Sequence, residues 1–135
     1  MNLTDQLSET LAILYGVGES MAGCTLTVDD AISWLNTLSP TRPFCLVTSW
    51  HWLDLELSEQ DRQKVEAAGM QPVVILADNV VFDSRSRFAT GHWVRSTLLV
   101  EHRDGCLFET RNTRYVLMGE GRRKKTTPAA LGRIQ

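Results

Sequence analysis

The residues that could do chemistry in this sequence concentrate in its last third, where the segment MGEGRRKKTTP, Met118 to Pro128, places four consecutive cations behind two glycines. Such a segment could hold phosphate, dock an acidic surface or end a strand. A P-loop requires the spacing G-x-x-x-x-G-K-[ST], but the sixth position from Gly119 is Lys124. We therefore interpret the glycines as a strand exit, followed by cations that protect a sheet edge or form a docking face.

A second basic group lies in the segment FETRNTRY, where Arg111, Asn112 and Arg114 stand near Phe108 and Tyr115. Basic and aromatic side chains together can pair phosphates and stack bases. The sequence pI of about 5.9 is nevertheless low for a dedicated nucleic-acid-binding domain, and no helix-turn-helix, zinc-finger or RNP1 pattern occurs. The candidate macromolecule-binding residues are Arg111, Asn112, Arg114, Arg122, Arg123, Lys124 and Lys125.

An aromatic cluster, TSWHWLD, lies in the middle of the chain. In an extended strand Trp50 and Trp52 point to one face and His51 to the other. A tryptophan pair in a strand is typical of a core, but an exposed member would be a binding hot spot. We therefore name Trp50 and Trp52 as candidate aromatic contacts.

The sequence contains none of the catalytic signatures that we searched for, among them G-x-S-x-G, H-E-x-x-H and Cys/His spacings. We expect a protein that is not an enzyme, and keep an enzyme that uses His92 or His51 as an alternative. The side-chain pairs considered for catalysis are His51 with Asp54, His92 with Asp83, and Glu109 with Arg111.

The three cysteines, Cys24, Cys45 and Cys106, lie far apart and show no C-x-x-C or C-x-x-H spacing. A disulfide framework or a zinc site is therefore not expected. Free thiols of this kind usually behave as small buried hydrophobes. We predict three free cysteines, no metal and no cofactor.

Charge is distributed unevenly along the 135 residues, although the net charge is only −2. Residues 1–84 carry 3 basic and 12 acidic side chains, whereas residues 85–135 carry 11 basic and 4 acidic ones. Such polarity can steer a charged partner, or it can be neutralised within one fold or between the subunits of a homodimer. The sequence shows no export signal and no apolar run of membrane-spanning length, so we expect a cytoplasmic protein without membrane contact.

Helical periodicity dominates residues 1–40. The first predicted helix carries a leucine stripe and stops at Gly16, and the second begins at the cap Thr27 and ends at Pro40. A third short helix follows Ser58 and stops at Gly69, and Pro128 begins a terminal helical turn. The leucine stripe consists of Leu3, Leu7, Leu11 and Leu14, with Ile13 nearby.

Residues 44–127 are rich in strands. Asp78-Asn79 predicts a turn or bulge, and Asp104-Gly105 a type I′ hairpin turn. We predict a single α+β domain over residues 1–135, with N-terminal helices packed on a curved, mainly antiparallel sheet or small partial barrel. The predicted strands are 44–49, parts of 71–84, 92–102, 106–110, 114–118 and a short edge strand at 124–127.

The segment GHWVRSTLLVEHRDGCLFETRNTRYVLMGEGRRK, residues 91–124, resembles the core of a family of short bacterial proteins of unknown function. The shared pattern is G-x-W-V-R-[ST]-[ST], a D-G or E-G turn, F-E-T-R-N-[ST]-x-Y-x-L-x-G and a basic exit. The resemblance implies a chromosomal or prophage-borne accessory protein of bacteria, and it supplies no catalytic residues. It singles out Arg95, Glu109, Arg111, Asn112 and Tyr115 as a characteristic surface or fold-defining turn, with Asn112 suited to a left-handed position and Glu109 to a cross-strand ion pair with Arg95 or Arg114.

Taken together, these features predict a small binding module that engages a protein partner through a basic C-terminal sheet surface. An inhibitor of a nucleic-acid-handling complex of a host or phage is a specific form of this hypothesis. Direct DNA or RNA binding is the first alternative.

Overall fold

The computed structural model describes residues 3–134 of the chain, apart from the side chains of Leu3, Leu14 and Tyr15. These residues form helices that pack on a curled, mixed sheet, which closes into a half-barrel. The α+β prediction with a curved sheet is therefore confirmed. The elements are α1 (Leu3–Tyr15), β1 (Glu19–Met21), α2 (Val28–Leu38), β2 (Phe44–Leu55), α3 (Glu59–Ala67), β3 (Val73–Asp83), β4 (Val94–Arg95), β5 (Glu101–Arg103), β6 (Leu107–Glu109), β7 (Arg114–Leu117), β8 (Gly121–Thr126) and α4 (Pro128–Gly132).

Three helices begin at a hydroxyl cap, because a side-chain oxygen there satisfies an amide that has no partner within the helix. Thr27 accepts from the Asp30 amide before α2, and Ser58 accepts from the Asp61 amide before α3, each at 3.1 Å. Thr127 caps α4 in the same way, with Pro128 in the first helical turn. The caps predicted at Thr27 and Ser58 and the role of Pro128 are confirmed.

The sheet is organised around β2, which pairs antiparallel with β3 on one side. On its other side β2 pairs parallel with β7 over its first residues and with β8 over its last. Five of the seven strand pairs are antiparallel, as predicted. The strand order is β1-β8-β2-β7-β6-β5, with β3 and β4 on the remaining side of β2.

Three local predictions for the strands are wrong. Residues 92–102, predicted as one strand, contain β4 and most of β5 with residues 96–100 outside the named strands. Asp78 and Asn79 lie inside the continuous strand β3, and the register shift between β2 and β3 falls at Leu46 and Val47 instead. The segment between α1 and α2, where no strand was predicted, contributes β1, which pairs with residues 121–123 of β8. The hairpin turn is confirmed, because Asp104 and Gly105 both adopt positive φ, at 55° and 74°.

Apolar side chains bury on both faces of the sheet. The larger cluster includes Trp50 and Trp52 together with Leu35 of α2. The smaller cluster contains Leu53 with Ile13 of α1 and joins residues of α4. Ile13 anchors α1, whereas Leu7 and Leu11 of the predicted leucine stripe are 55% and 53% exposed. The side chains of Leu3 and Leu14 lie outside the described residues.

Candidate binding surface

The two glycines of the MGEG segment have different roles, a turn at Gly119 and close packing on a tryptophan at Gly121. Gly119 turns the chain with a φ of +70°, a conformation that favours glycine. Gly121 lies against the indole ring of Trp50, and a Cβ atom at position 121 would come within 2.3 Å of that ring. The indole nitrogen of Trp50 donates to the Met118 carbonyl oxygen at 3.2 Å. The segment is therefore a packing site that fixes the start of β8.

The strand that follows is paired on both sides over its first half only. β8 pairs with β1 through residues 121–123 and with β2 through residues 122–126. The interpretation of its cations as edge protection is therefore wrong for Arg122 and Arg123, whereas Lys124 and Lys125 lie where β8 pairs with β2 alone. We call Arg122, Arg123, Lys124 and Lys125 the β8 cations, and their positions depend on the two flanking strands.

Arg123 is held by an acidic partner on β2. Its guanidinium forms two hydrogen bonds to the Asp54 carboxylate, at 2.7 and 3.1 Å, and lies 5.5 Å from the ring of Trp52. Glu19 of β1 faces the same residue in register. Arg123 is thus exposed but paired, and carboxylates flank it on both sides.

Lys124 turns toward α1. Its Nζ atom donates to the Ile13 carbonyl oxygen at 2.8 Å, in the last turn of that helix. Burial lowers the pKa of Lys124, Asp78 opposes this shift and Arg122 adds to it. This lysine is half-buried and acts as a helix cap.

Arg122 and Lys125 are the β8 cations with the least internal engagement. Arg122 is exposed and lies 3.9 Å from Glu120, a loose ion pair. Lys125 is exposed, and no ion pair to it forms among residues 3–134. It borders an open cleft of about 530 Å³, which is lined by Glu19, Asp54, Arg123, Lys124 and Lys125.

The prediction that Arg114 belongs to the binding surface is wrong. It is 1% exposed, and its guanidinium donates to the carbonyl oxygens of Leu35 at 3.0 Å, Ser39 at 2.9 Å and Arg42. The ring of Phe44 lies 5.6 Å away. Because its donors are directed at the end of α2, Arg114 is not available to a partner.

Arg111 and Asn112 remain on the surface, in the turn between β6 and β7. Arg111 donates to the Ala68 carbonyl oxygen at 2.9 Å, at the C-cap of α3. The left-handed conformation expected for Asn112 is wrong, because the positive-φ residues other than glycine within 3–134 are Ser49, Ser86 and Asp104.

These contacts share a pattern. The carbonyl groups in the last turn or at the C-cap of a helix lack partners within the helix and carry partial negative charge. Each described helix has such a carbonyl bonded to a cation from the basic half of the chain, so four of the eleven cations of residues 85–135 stabilise helix ends. The pairs are Lys124 with α1, Arg114 with α2, Arg111 with α3 and Arg95 with the Leu131 carbonyl of α4.

The two candidate aromatic contacts are also corrected. Trp50 and Trp52 are 1% and 5% exposed and belong to the larger core cluster. They do share one face, as predicted. The tryptophan that reaches solvent is Trp93, which is 46% exposed just before β4.

The acid–base pairs considered from sequence do not form. Asp54 binds Arg123, Asp83 binds Arg87, and Glu109 lies 2.7 Å from Arg103 and 3.5 Å from Arg42. The expected ion pair of Glu109 with Arg95 or Arg114 is likewise not formed, although Glu109 and Arg114 are register partners.

His51 has a carboxylate neighbour that the sequence reasoning missed. Its Nε2 atom lies 3.5 Å from the Oδ2 atom of Asp78. The alternation of side chains along β2 and β3 could have predicted this contact, because it puts His51 and Asp78 on one face of the sheet. Burial lowers the pKa of His51, Lys124 adds to this effect and Asp78 opposes it. His51 is 9% exposed, so its ring offers little surface to a substrate, and His92 is an exposed loop residue.

The prediction of three free cysteines is wrong for two of them. Cys24 and Cys106 form a disulfide with a Cα–Cα distance of 5.4 Å, although 82 residues separate them in sequence. Strand pairing brings them together, which residue spacing cannot reveal. Cys45 is free and buried, and burial, with Asp83 nearby, raises its pKa to about 12.

Among residues 3–134, no group of three or more His, Cys, Asp or Glu side chains is placed to hold a metal ion. None of the helices in that range has the length and apolar character to cross a bilayer. No curated protein and no solved structure matches the chain. One family model matches residues 21–133, which is most of the sequence and includes strands β2 to β8 and helices α2 to α4. The chain therefore belongs to the family described as domain of unknown function DUF6957.

Proposed function

We propose that the protein is a binding module that engages an acidic patch on a protein partner through β8. The observation that carries this proposal is the position of Arg122 and Lys125. Both are exposed on β8, which pairs with β2 at both positions and with β1 at Arg122, and neither caps a helix. Charges held on a rigid strand lose little conformational freedom when a partner binds, which favours affinity and specificity.

The surroundings of these cations favour a protein over a nucleic acid. Glu19 and Asp54 flank Arg123, and Glu120 lies beside Arg122. These carboxylates would repel the continuous negative charge of a phosphate backbone. A protein surface with spaced acidic side chains can match such an alternating pattern.

The specific form of this proposal is a bacterial or prophage accessory protein that acts in the cytoplasm by blocking a nucleic-acid-handling complex. The charge pattern supports the docking step only. The identity of the blocked complex follows from the captured partner.

The test compares affinity capture from a lysate of the source organism for the wild type and the double variant Arg122→Glu/Lys125→Glu. The control is Arg62→Glu/Lys64→Glu on α3, which makes the same charge change at exposed positions. We expect the β8 variant to lose the specific partner and the control to retain it. Recovery of that partner at equal yield from both variants would show that β8 is not the binding surface.

Two further measurements separate the alternatives. Nucleic-acid binding would appear as a gel shift with DNA or RNA whose affinity falls steeply as salt rises. A homodimer that uses the same strand would appear in sedimentation as a doubled mass that Arg122→Glu/Lys125→Glu abolishes. Either result would replace the acidic protein partner as the ligand of this surface.

A further inference from the structure

The Cys24–Cys106 pair has features that distinguish it from a purely structural crosslink. Both residues are anchored to the backbone of one strand end. The Cys24 amide donates to the Leu117 carbonyl oxygen at 2.8 Å, and the Leu117 amide donates to the Cys106 carbonyl oxygen at 2.9 Å. The Gly119 amide also donates to the Cys24 carbonyl oxygen, at 2.8 Å. These hydrogen bonds hold the two cysteines side by side whether or not the sulfur–sulfur bond is present.

Gly23 makes this arrangement possible. A Cβ atom at position 23 would lie 2.1 Å from the Leu117 carbonyl oxygen and 2.5 Å from that of Gly119. Only glycine lets the segment before α2 approach β7 so closely. The placement of Cys24 is therefore built into the backbone and does not depend on the disulfide.

The pair also borders an open cleft of about 580 Å³. One wall is the segment before α2 together with Asp30 and Trp34 of that helix, and the other is the hairpin turn at Asp104 and Gly105. Cys24 belongs to the first wall and Cys106 to the second. The disulfide thus joins the two walls of a cleft that a small molecule can enter.

The three cysteine residues differ in exposure. Cys24 is 9% exposed and Cys106 3%, whereas Cys45 is fully buried. Thiol–disulfide exchange needs an attacking thiolate and an open path to a sulfur atom. The cleft supplies that path to Cys24, and Cys45 has neither access nor thiolate character.

The fold does not depend on this bond for its core. The two apolar clusters form on both faces of the sheet, and a chain of 135 residues can bury a sufficient core without a crosslink. Reduction is therefore compatible with a folded protein. This separates the pair from the crosslinks of small secreted domains, whose removal often abolishes folding.

We propose that Cys24 and Cys106 form a reversible dithiol–disulfide switch that exchanges with a small thiol of the glutathione class through this cleft. The thiolate attacks Cys24, the bond to Cys106 breaks, and the Cys106 sulfur leaves as a thiolate that takes up a proton. A second small thiol then attacks the sulfur of the first, which releases the Cys24 thiol and a small-molecule disulfide. Two small thiols are oxidised to one disulfide, the protein gains two hydrogen atoms, and the cleft walls are no longer tied together. This site is independent of the surface proposed on β8.

The first test is a redox titration of the folded full-length chain in glutathione buffers without denaturant. Free thiols are alkylated after equilibration and counted by intact mass. We expect conversion between two states that differ by two alkylated cysteines, with Cys45→Ser showing the same midpoint. A pair that stays oxidised until the protein is denatured, or stays reduced in every buffer, would overturn the proposal.

The second test traps the intermediate. The variant Cys106→Ser, incubated with oxidised glutathione, should form a single mixed disulfide at Cys24, which peptide mapping locates. Circular dichroism of the same sample verifies that the variant is folded. The double variant Cys24→Ser/Cys106→Ser, which retains Cys45, should remain unmodified. Absence of an adduct on folded Cys106→Ser, or equal modification of Cys45, would contradict access through the cleft.

Discussion

β7 and β8 both pair parallel with β2 and both carry basic residues, yet their cations have opposite roles. All four residues of β7 are buried, and its Arg114 points into the protein toward the end of α2. β8 has its first and last residues buried and exposes three of the four cations between them. The comparison teaches that a cation in this chain takes its role from the element it faces. The end of a helix binds Arg114, whereas Arg122 lies in solvent beside Glu120.

The largest expected effect tests the buried member of this comparison. Arg114→Met removes the donors to the carbonyl oxygens of Leu35 and Ser39, at the end of α2, and of Arg42 in the loop that follows. Buried carbonyls without partners are costly, and we expect a loss of about 3 kcal/mol in the free energy of unfolding. Urea denaturation measures it. Arg122→Met on β8 is the matched control and should change stability by less than about 0.5 kcal/mol. Similar losses in both variants would break the distinction between the strands.

The second prediction concerns the start of β8. Gly121→Ala places a methyl group within 2.3 Å of the Trp50 ring. Overpacking of this kind should lower the free energy of unfolding by about 2 kcal/mol. Gly132→Ala in α4 is the control, because no atom lies within 4 Å of its added Cβ. An unaffected thermal midpoint for Gly121→Ala would show that Trp50 does not hold this strand.

A smaller effect should appear as a pH dependence on the β8 side of β2. Burial lowers the pKa of His51 below its ordinary value, so the unfolded chain binds a proton more readily than the folded one. Stability should therefore decrease as pH falls from about 7 toward 5, and rise again on return to neutral pH. His51→Gln should reduce this slope, while His92→Gln in the exposed loop should keep it. Because burial also lowers the pKa of His102, part of the slope should remain in both variants.

The smallest effect concerns the surface pair of β8. Arg123→Gln removes the ion pair between Arg123 and Asp54. Both side chains of this pair are partly exposed. Exposed ion pairs of this kind contribute about 0.5 kcal/mol to the free energy of unfolding at low ionic strength. The difference from wild type should shrink in 1 M salt, since its Debye length is only about 3 Å. A loss comparable with that of Arg114→Met would show that β8 also carries structural cations.

Local features of the fold were predictable because short-range physics decides them. The hydroxyl caps at Thr27 and Ser58 and the Asp104-Gly105 turn each depend on a few neighbouring residues. Helical and strand periodicity then fixed the α+β class. The leucine stripe misled, because Leu7 and Leu11 match a buried helix face but point to solvent.

The candidate site was less predictable, because strands from distant parts of the chain decide it. Arg114 and Arg122 look alike in sequence, and only the parallel pairing with β2 places one beside α2 and the other in solvent. Cys24 meets Cys106 for the same reason, across 82 residues. Trp50 and Trp52 were correctly placed on one face, but their burial depended on Gly121 and on the curl of the sheet.

The pairing of β8 has a consequence for the order in which the molecule assembles. β8 is the last strand in the described chain, yet it lies between β1 and β2, two of the earliest. In a chain emerging from the ribosome, residues 51–55 of β2 therefore lack their β8 partner until residues 121–126 have been synthesised. Such long-range pairing slows folding, because the entropy of loop closure is lost before the stabilising contacts form. We expect nascent chains that end before Gly121 to be prone to strand-edge association and to be candidates for chaperone protection.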